Sequence, residues 1–549
     1  MGTSLARAML DVVTPSGSGL FAVDVSPSLY IGHSSLPSPF SRQEDVYDGE
    51  NRSLEQSIRA LNVVDVPSTA VDQLMQNYID IHLPQHPIVY EPELLQACSK
   101  AVSEPKKATP FEVFITHMVL ALSSNTLIWR NEQRAQLASE QFFLEALKQL
   151  PLMKNMENGL RAVQVALLLL HYSSMNPKVG DAWYCLGEAA RMCIHLGLHK
   201  EPQTNLDLDP LTLDTRRRLF WMTYGFERFI CSLLHLPFSL EEDSITTKFP
   251  SDLDDASITS EGILQGIPKK ASAIHMWQLR ELESEVHRVL WLQQDMKPDF
   301  ELISWYSDIT ARVYDWHQQS LDFAKEKKLE FRDVQLHMLL LRLHRATPRQ
   351  PSPPLESRLQ SARSAIALIS EYDLIIKQGR LYYTWFATLQ IFETAVVFFD
   401  DAWMSAEMLV AEMDPATISQ NLQLVISLLR KLAERWPAVK KCADSLDAII
   451  TPILRRLNVV AGGSFCPRDE ATTRALTGLL FPDSDLSDLE ELERFFTSES
   501  IGPDIPLAIN VSDREDIDFG WLDEWMPDAA AAPWANGDGE DFMDYLVPF

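Results

Sequence analysis

No two cysteines in this chain stand at C-x2-C spacing. That spacing lets two thiolates reach one tetrahedral metal, so its absence excludes zinc ribbons and zinc clusters from these 549 residues. The six cysteines (Cys98, Cys185, Cys193, Cys231, Cys442 and Cys466) are scattered, mostly on apolar helical faces, as suits reduced and packed thiols. Glycine is scarce, at 20 residues, and strand-like alternation is hard to find, which leaves an all-α reading. No run approaches the ~18 uninterrupted apolar residues of a membrane span. The richest, 386–399, contains Gln390 and Glu393 and reads as a buried helix. The N-terminus lacks a signal-peptide core, and Ala6 spoils the myristoylation pattern after Gly2. These absences predict an intracellular chain without membrane contact.

Catalytic signatures are missing as well. There is no G-x-S-x-G elbow, no G-x4-G-K-[ST] phosphate cradle and no G-x-G-x-x-G. Asp400 and Asp401 lack the later carboxylate that a magnesium-dependent all-α cyclase needs. Asp252, Asp254 and Asp255 fall in an expected loop. Both groups read as caps or solvated charges. A basic footprint for nucleic acid is absent too, because the formal net charge is −29. The acid is uneven: residues 481–549 hold 19 Asp and Glu against two Arg.

What is present centres on 181–250. Trp183, Leu186, Ala190, Cys193, Ile194 and Leu196 recur three or four apart and define one buried helical face. Gly197 stands where a left-handed C-cap is wanted, and Pro202 prevents a quick restart. In the next helix Asp214 or Thr215 is the expected N-cap. Leu219, Phe220, Thr223, Phe226, Phe229, Ile230 and Leu233 form the stripe, and Pro237 ends it. Buried as the pattern implies, Trp183 or Trp221 truncated to Ala should cost roughly 3–5 kcal/mol.

The order of residues here resembles the middle homology region of fungal zinc-cluster transcription factors. The matching positions are Ala182, Trp183, Gly187, Ala189, Arg191, Leu196 to His199, Arg216 to Arg218, Phe220, Trp221, Tyr224, Glu227, Arg228, Ser232, Pro237, Asp243, Ile245, Phe249 and Pro250. YIDIHLPQHPIVYEPELL, from Tyr78, resembles the start of the same region. Two departures stand out. The family usually has Asp at Glu227, and Gly-Arg at His235-Leu236, which bears on a local ion pair and a tight turn. The resemblance implies an all-α multi-helix bundle and a nuclear regulator of a pathway or biosynthetic gene cluster. The family's binuclear zinc cluster has no counterpart here, so no cofactor is expected and direct DNA binding does not carry over. Either the module is absent by nature or an upstream exon is missing.

Four regions are expected along the chain. Residues 1–70 form a disordered leader rich in Ser, Pro and Gly. Residues 71–345 form the middle homology domain, opening on a stripe of Val71, Leu74, Met75, Tyr78, Ile79 and His82. Further helices are predicted at 111–128, 160–172, 271–293, 298–324 and 331–345. A Pro-rich loop at 345–354 divides the domain from a continuing bundle at 355–460, with helices at 355–376, 379–403, 414–436 and 437–457. Residues 461–549 form an acidic tail. No fixed-period repeat exists, which argues against a solenoid.

Two metal groupings were weighed. Cys193, His195 and His199, with Cys185, include an i, i+4 histidine pair, but Gly197 interrupts the helix between them. Pro84 likewise disrupts His82 and His86. Neither is expected to bind metal. Arg216, Arg217 and Arg218 are expected to pair with acidic neighbours rather than with phosphate.

The tail carries the functional expectation. Phe519, Leu522 and Trp525 with Met526 are spaced along one face of a short helix, and Phe542, Tyr545 and Leu546 along a second. Carboxylates keep these aromatics in water until a partner groove desolvates them, the physical form of an acidic activation region. Seven aromatics within 511–549 exceed what a solvating tail needs. Phe519, Trp521, Leu522, Trp525, Phe542 and Tyr545 are the expected partner-binding residues, with a coactivator or the general transcription machinery as partner. DNA would then be reached indirectly, and homo- or hetero-oligomers are compatible. The alternatives are a co-regulator recruited by a zinc-cluster partner, and an all-α small-molecule receptor or enzyme.

Overall fold

The structure is a computed structural model. It describes residues 60–127, 132–153, 158–177, 182–203, 208–295, 300–323, 331–379, 381 and 383–481. Sixteen α-helices form among the described residues. They are α1 Ser68–Asn77, α2 Glu91–Ser103, α3 Pro110–Thr126, α4 Glu132–Leu147, α5 Gly159–Met175, α6 Ala182–His195, α7 Pro210–Leu234 and α8 Ala271–Leu290. There follow α9 Leu302–Phe323, α10 Arg332–His344, α11 Leu355–Lys377, α12 Thr384–Met404, α13 Ala406–Glu412, α14 Pro415–Leu432, α15 Val439–Ala461 and α16 Glu470–Leu480. No strand forms among these residues; an isolated bridge joins Ile258 and Ile263. The fold is all-α, as the composition predicts.

Helix ends follow local chemistry. Thr109 and Glu112 form a reciprocal capping box at the start of α3, each side chain meeting the other residue's backbone N–H. Asn158 caps α5. At α7 the cap is Asp209, ahead of the expected Asp214, because Pro210 supplies a pre-organised first residue. Asp214 is buried inside the helix and pairs with Arg218. Gly197 takes the left-handed conformation (φ +62°) after α6, and Leu198 N–H closes back on Cys193 O at 2.8 Å. His235 occupies the corresponding position after α7 at φ +53°, so the turn survives without glycine. Its ring stacks on Trp291 with centroids 3.6 Å apart.

One apolar core runs from Val63 to Leu480. It includes both sides of the Pro-rich turn, and α10 and α11 pack directly on each other across that turn. The 345–354 stretch therefore joins a helical hairpin rather than dividing bundles; Ala346 and Thr347 are buried. A second core lies between α8, α9 and α10, around Leu279, Val286, Trp305, Ile309, Trp316 and Leu340.

The body is also longer than expected at both ends. Val63 and Val66 are buried ahead of Val71, and the Val63 N–H donates to His117 Nε2 at 3.0 Å. Helix α16, expected to be tail, packs on α12 and α15, with Leu476 fully buried and Trp403 donating to Thr473 Oγ1 at 2.9 Å. Both extensions have too few apolar residues to show in a short window, yet enough to cover open core.

Charge is buried in pairs. Arg228 reaches Glu227, Glu242 and the Leu240 carbonyl from a fully buried position. Glu227 in turn accepts the Ser239 and Leu240 N–H groups, so the ion pair forms with Glu in that place. Asp400 and Asp401, expected as caps or solvated charges, are buried against Arg358. Asp255 is buried between Arg218 and Lys270. Removing one partner of such a pair strands the other without water, which typically costs about 3–5 kcal/mol.

Candidate functional site

The tail residues Phe519, Trp521, Leu522, Trp525, Phe542 and Tyr545 lie outside the described residues. Within the body, the chemistry concentrates where α1 ends. Tyr78–His82 winds as one π-helical turn, with Leu83 N–H donating to Tyr78 O at 3.0 Å. Single π-turns of this kind recur at functional sites. Pro84 does not break the winding that follows, because its missing N–H needs no partner there. His86 N–H still donates to His82 O at 2.7 Å. His82 and His86 therefore share one face, contrary to what Pro84 suggests from the sequence.

The third member comes from the middle of α5. His171 lies edge-on to His82, with ring centroids 5.2 Å apart, and 4.3 Å from His86. One ring nitrogen from each of the three can be chosen so that all lie within 4.8 Å of one another. All three residues are buried. Helix α5 also holds the segment in place, since Gln164 Nε2 donates to Ile88 O at 3.0 Å. Phe226 of α7 stacks on His86 at 5.7 Å and walls the group on the side of the motif-bearing hairpin.

Burial keeps these imidazoles neutral: desolvation brings His82 and His86 down to about 3, with His86 adding to the effect on His82. It holds His171 well below the usual range, reinforced by the other two rings. Each residue also has a nitrogen with no hydrogen-bond partner, namely His82 Nε2, His86 Nδ1 and His171 Nδ1. A buried polar atom left unpaired usually costs about 1–3 kcal/mol. The other nitrogen of His171, Nε2, lies 2.9 Å from the Tyr383 hydroxyl beside α12. A small cavity of about 30 Å³ opens next to His86, bordered by Met222, Gly225, Phe226, Trp277 and Arg280.

The other histidine grouping does not assemble. Cys193 is fully buried against the Thr223 hydroxyl at 3.2 Å, whereas His195 is exposed at the end of α6. Two of the three arginines pair with acidic groups as expected, and the first bonds backbone instead. Arg217 meets Glu201, Arg218 meets Asp214 and Asp255, and Arg216 donates to the Gly197 carbonyl at 3.2 Å.

Apart from Tyr383, all of this lies between the start of α1 and the end of α9, a stretch that coincides with a recognisable domain. Residues 75–318 match the family described as fungal specific transcription factor domain. The chain carries this domain. Helix α7, the hairpin motif and the histidine group all lie inside it. The chain is 27% identical over 317 residues to pyrimidine pathway regulatory protein 1 of Saccharomyces cerevisiae, covering 54% of this chain and 34% of that one. It is 24% identical over 490 residues to the positive regulator of purine utilization of Emericella nidulans, covering 68% and 46%. Transcriptional activator protein acu-15 of Neurospora crassa is 24% identical over 305 residues, or 53% and 31%. The chain thus spans between about a third and a half of the length of these relatives. The domain's description and the names of these relatives are those of transcription regulators. No described helix is long and apolar enough to cross a membrane.

Proposed function

We propose that this regulator is a nuclear activator of a metabolic pathway or biosynthetic gene cluster. Its helical body receives a signal or partner, and its acidic-aromatic C-terminus recruits a coactivator or the general transcription machinery. The observation that carries the reading is a contrast in composition: a body rich in buried apolar helices, then 69 residues with 19 Asp and Glu, two Arg and bulky aromatics. Relatives named as regulators of pyrimidine and purine metabolism support a metabolic target. DNA is reached indirectly in this reading, through a zinc-cluster partner.

The test fuses residues 511–549 to a heterologous DNA-binding domain and reads a reporter. Activation is expected, and changing Trp521, Leu522, Trp525, Phe542 and Tyr545 together to Ala should abolish most of it. Reporter output indifferent to those changes would reject the activation role. Retention of the full chain on promoter DNA only with a zinc-cluster protein present is the expected mode of DNA contact.

A further inference from the structure

We propose that His82, His86 and His171 form a three-histidine site for a divalent first-row transition ion, zinc in the first instance. The site pins the π-turn after α1 to the centre of α5. Nothing in the transcription reading requires it, and it stands independently of the tail.

Three observations support it together. Three buried imidazoles from two separated stretches of chain converge, with one nitrogen of each inside a 4.8 Å circle. Zinc holds imidazole nitrogens at ~2.0–2.1 Å, which places three of them roughly 3.4 Å apart in a tetrahedral site. The upper bound on the observed spacing is wider than that, so binding an ion would draw the rings together. Every one of the three also keeps a nitrogen that no protein group satisfies. A purely structural cluster would gain from pairing those atoms, yet Gln164 close by is spent on the Ile88 carbonyl and Tyr383 meets only the other nitrogen of His171.

The third observation concerns the surroundings. Ligand histidines are commonly oriented by a hydrogen bond from their other ring N–H. His171 is placed for that arrangement: its Nε2 lies 2.9 Å from the Tyr383 hydroxyl, and in the tautomer that donates Nε2–H there the Nδ1 lone pair is free for a metal. The Tyr78 ring stacks on His82 at 5.3 Å, and its hydroxyl is likewise unpartnered. The cavity beside His86 borders that one ring of the three and has room for a water there. All three donors are nitrogens, which suits zinc, copper or nickel and disfavours calcium or magnesium.

The chain, purified without a histidine tag, is stripped with chelator and titrated with Co2+ as spectroscopic probe, then with Zn2+ in competition. One equivalent of Co2+ with intense tetrahedral d–d bands is expected, displaced by Zn2+, and Zn2+ should raise Tm by several degrees. His171→Gln and His82→Asn should lose the bands. His86→Cys should keep one equivalent and add a thiolate-to-cobalt charge-transfer band. Tyr383→Phe keeps the packing, and as a positioning change should weaken Zn2+ about 10-fold or more. A stripped wild-type chain giving only the weak octahedral cobalt spectrum overturns the proposal. So do bands that survive His171→Gln, or a folded His86→Cys protein with no charge-transfer band. Where the Gln and Asn variants fail to fold, the wild-type spectrum and the Tyr383→Phe affinity decide, and an unchanged affinity counts against the site.

Discussion

Two histidine-bearing stretches of this molecule come to opposite outcomes in the structure. CIHLGLH, at the end of α6, has good ligand spacing, yet its groups separate: Cys193 turns into the core and His195 faces solvent. IHLPQHP, after α1, is interrupted by proline, yet its two histidines share a face and meet His171. The difference is one of surroundings. Gly197 ends α6 at the surface, where one turn is free to diverge from the next. The π-turn before Pro84 is pressed between α5 and α7, and packing dictates where its side chains go.

The largest expected effect tests that contrast in burial. Trp221, 4% exposed on α7, donates to the Lys248 carbonyl at 2.9 Å and packs on Phe249. Trp221→Ala should cost about 3–5 kcal/mol by urea unfolding. Trp183 on α6 is only partly buried, short of the sequence expectation, and its Ala variant should cost about half as much. Equal losses would erase the distinction between the two helices.

Acid sharpens the comparison next. Buried imidazoles outside the trio are also held neutral: desolvation, the largest cause, takes His287 down to about 3 and His275 to about 4. Their ordinary value is about 6.5, so the unfolded chain takes up protons first as pH falls. Stability should be full above about pH 6.5 and should decline steadily toward pH 4. His287→Gln should flatten that decline in a Tm-against-pH series.

The smallest effects lie at the end of α6. Gly197→Ala meets no neighbouring atom within 4 Å, so its cost is the left-handed backbone alone, about 1 kcal/mol. His195→Ala should stay within about 0.5 kcal/mol. A large loss at His195 would mean that the surface end of α6 is held by more than its own turn.

Much of the fold was legible residue by residue. The α7 stripe predicted from spacing is buried in full, and the rest of that helix from Arg218 onward is almost as buried, which a stripe understates. Ile194 went the other way: periodicity assigned it to the core, but α6 ends beside it and it is 44% exposed. Asp400 and Asp401 looked like surface charges because their counter-ion, Arg358, comes from a different helix. Burial, with Asp400 beside it, pushes Asp401 up to about 8 in spite of Arg358, an environment that its neighbours along the chain do not reveal. His171 gave no local signal at all; in the sequence it is one of several polar residues on a largely apolar helix.

By itself, then, the amino-acid order determined that this chain is helical, where most helices run, and that a strongly acidic segment follows an apolar body. Those properties depend on periodicity, capping and charge, which neighbours along the chain supply. Only the tertiary structure decided which histidines meet, which carboxylates lose water and how far the body extends past its obvious helices. Such outcomes depend on contacts between residues far apart in the chain, and on the desolvation those contacts impose.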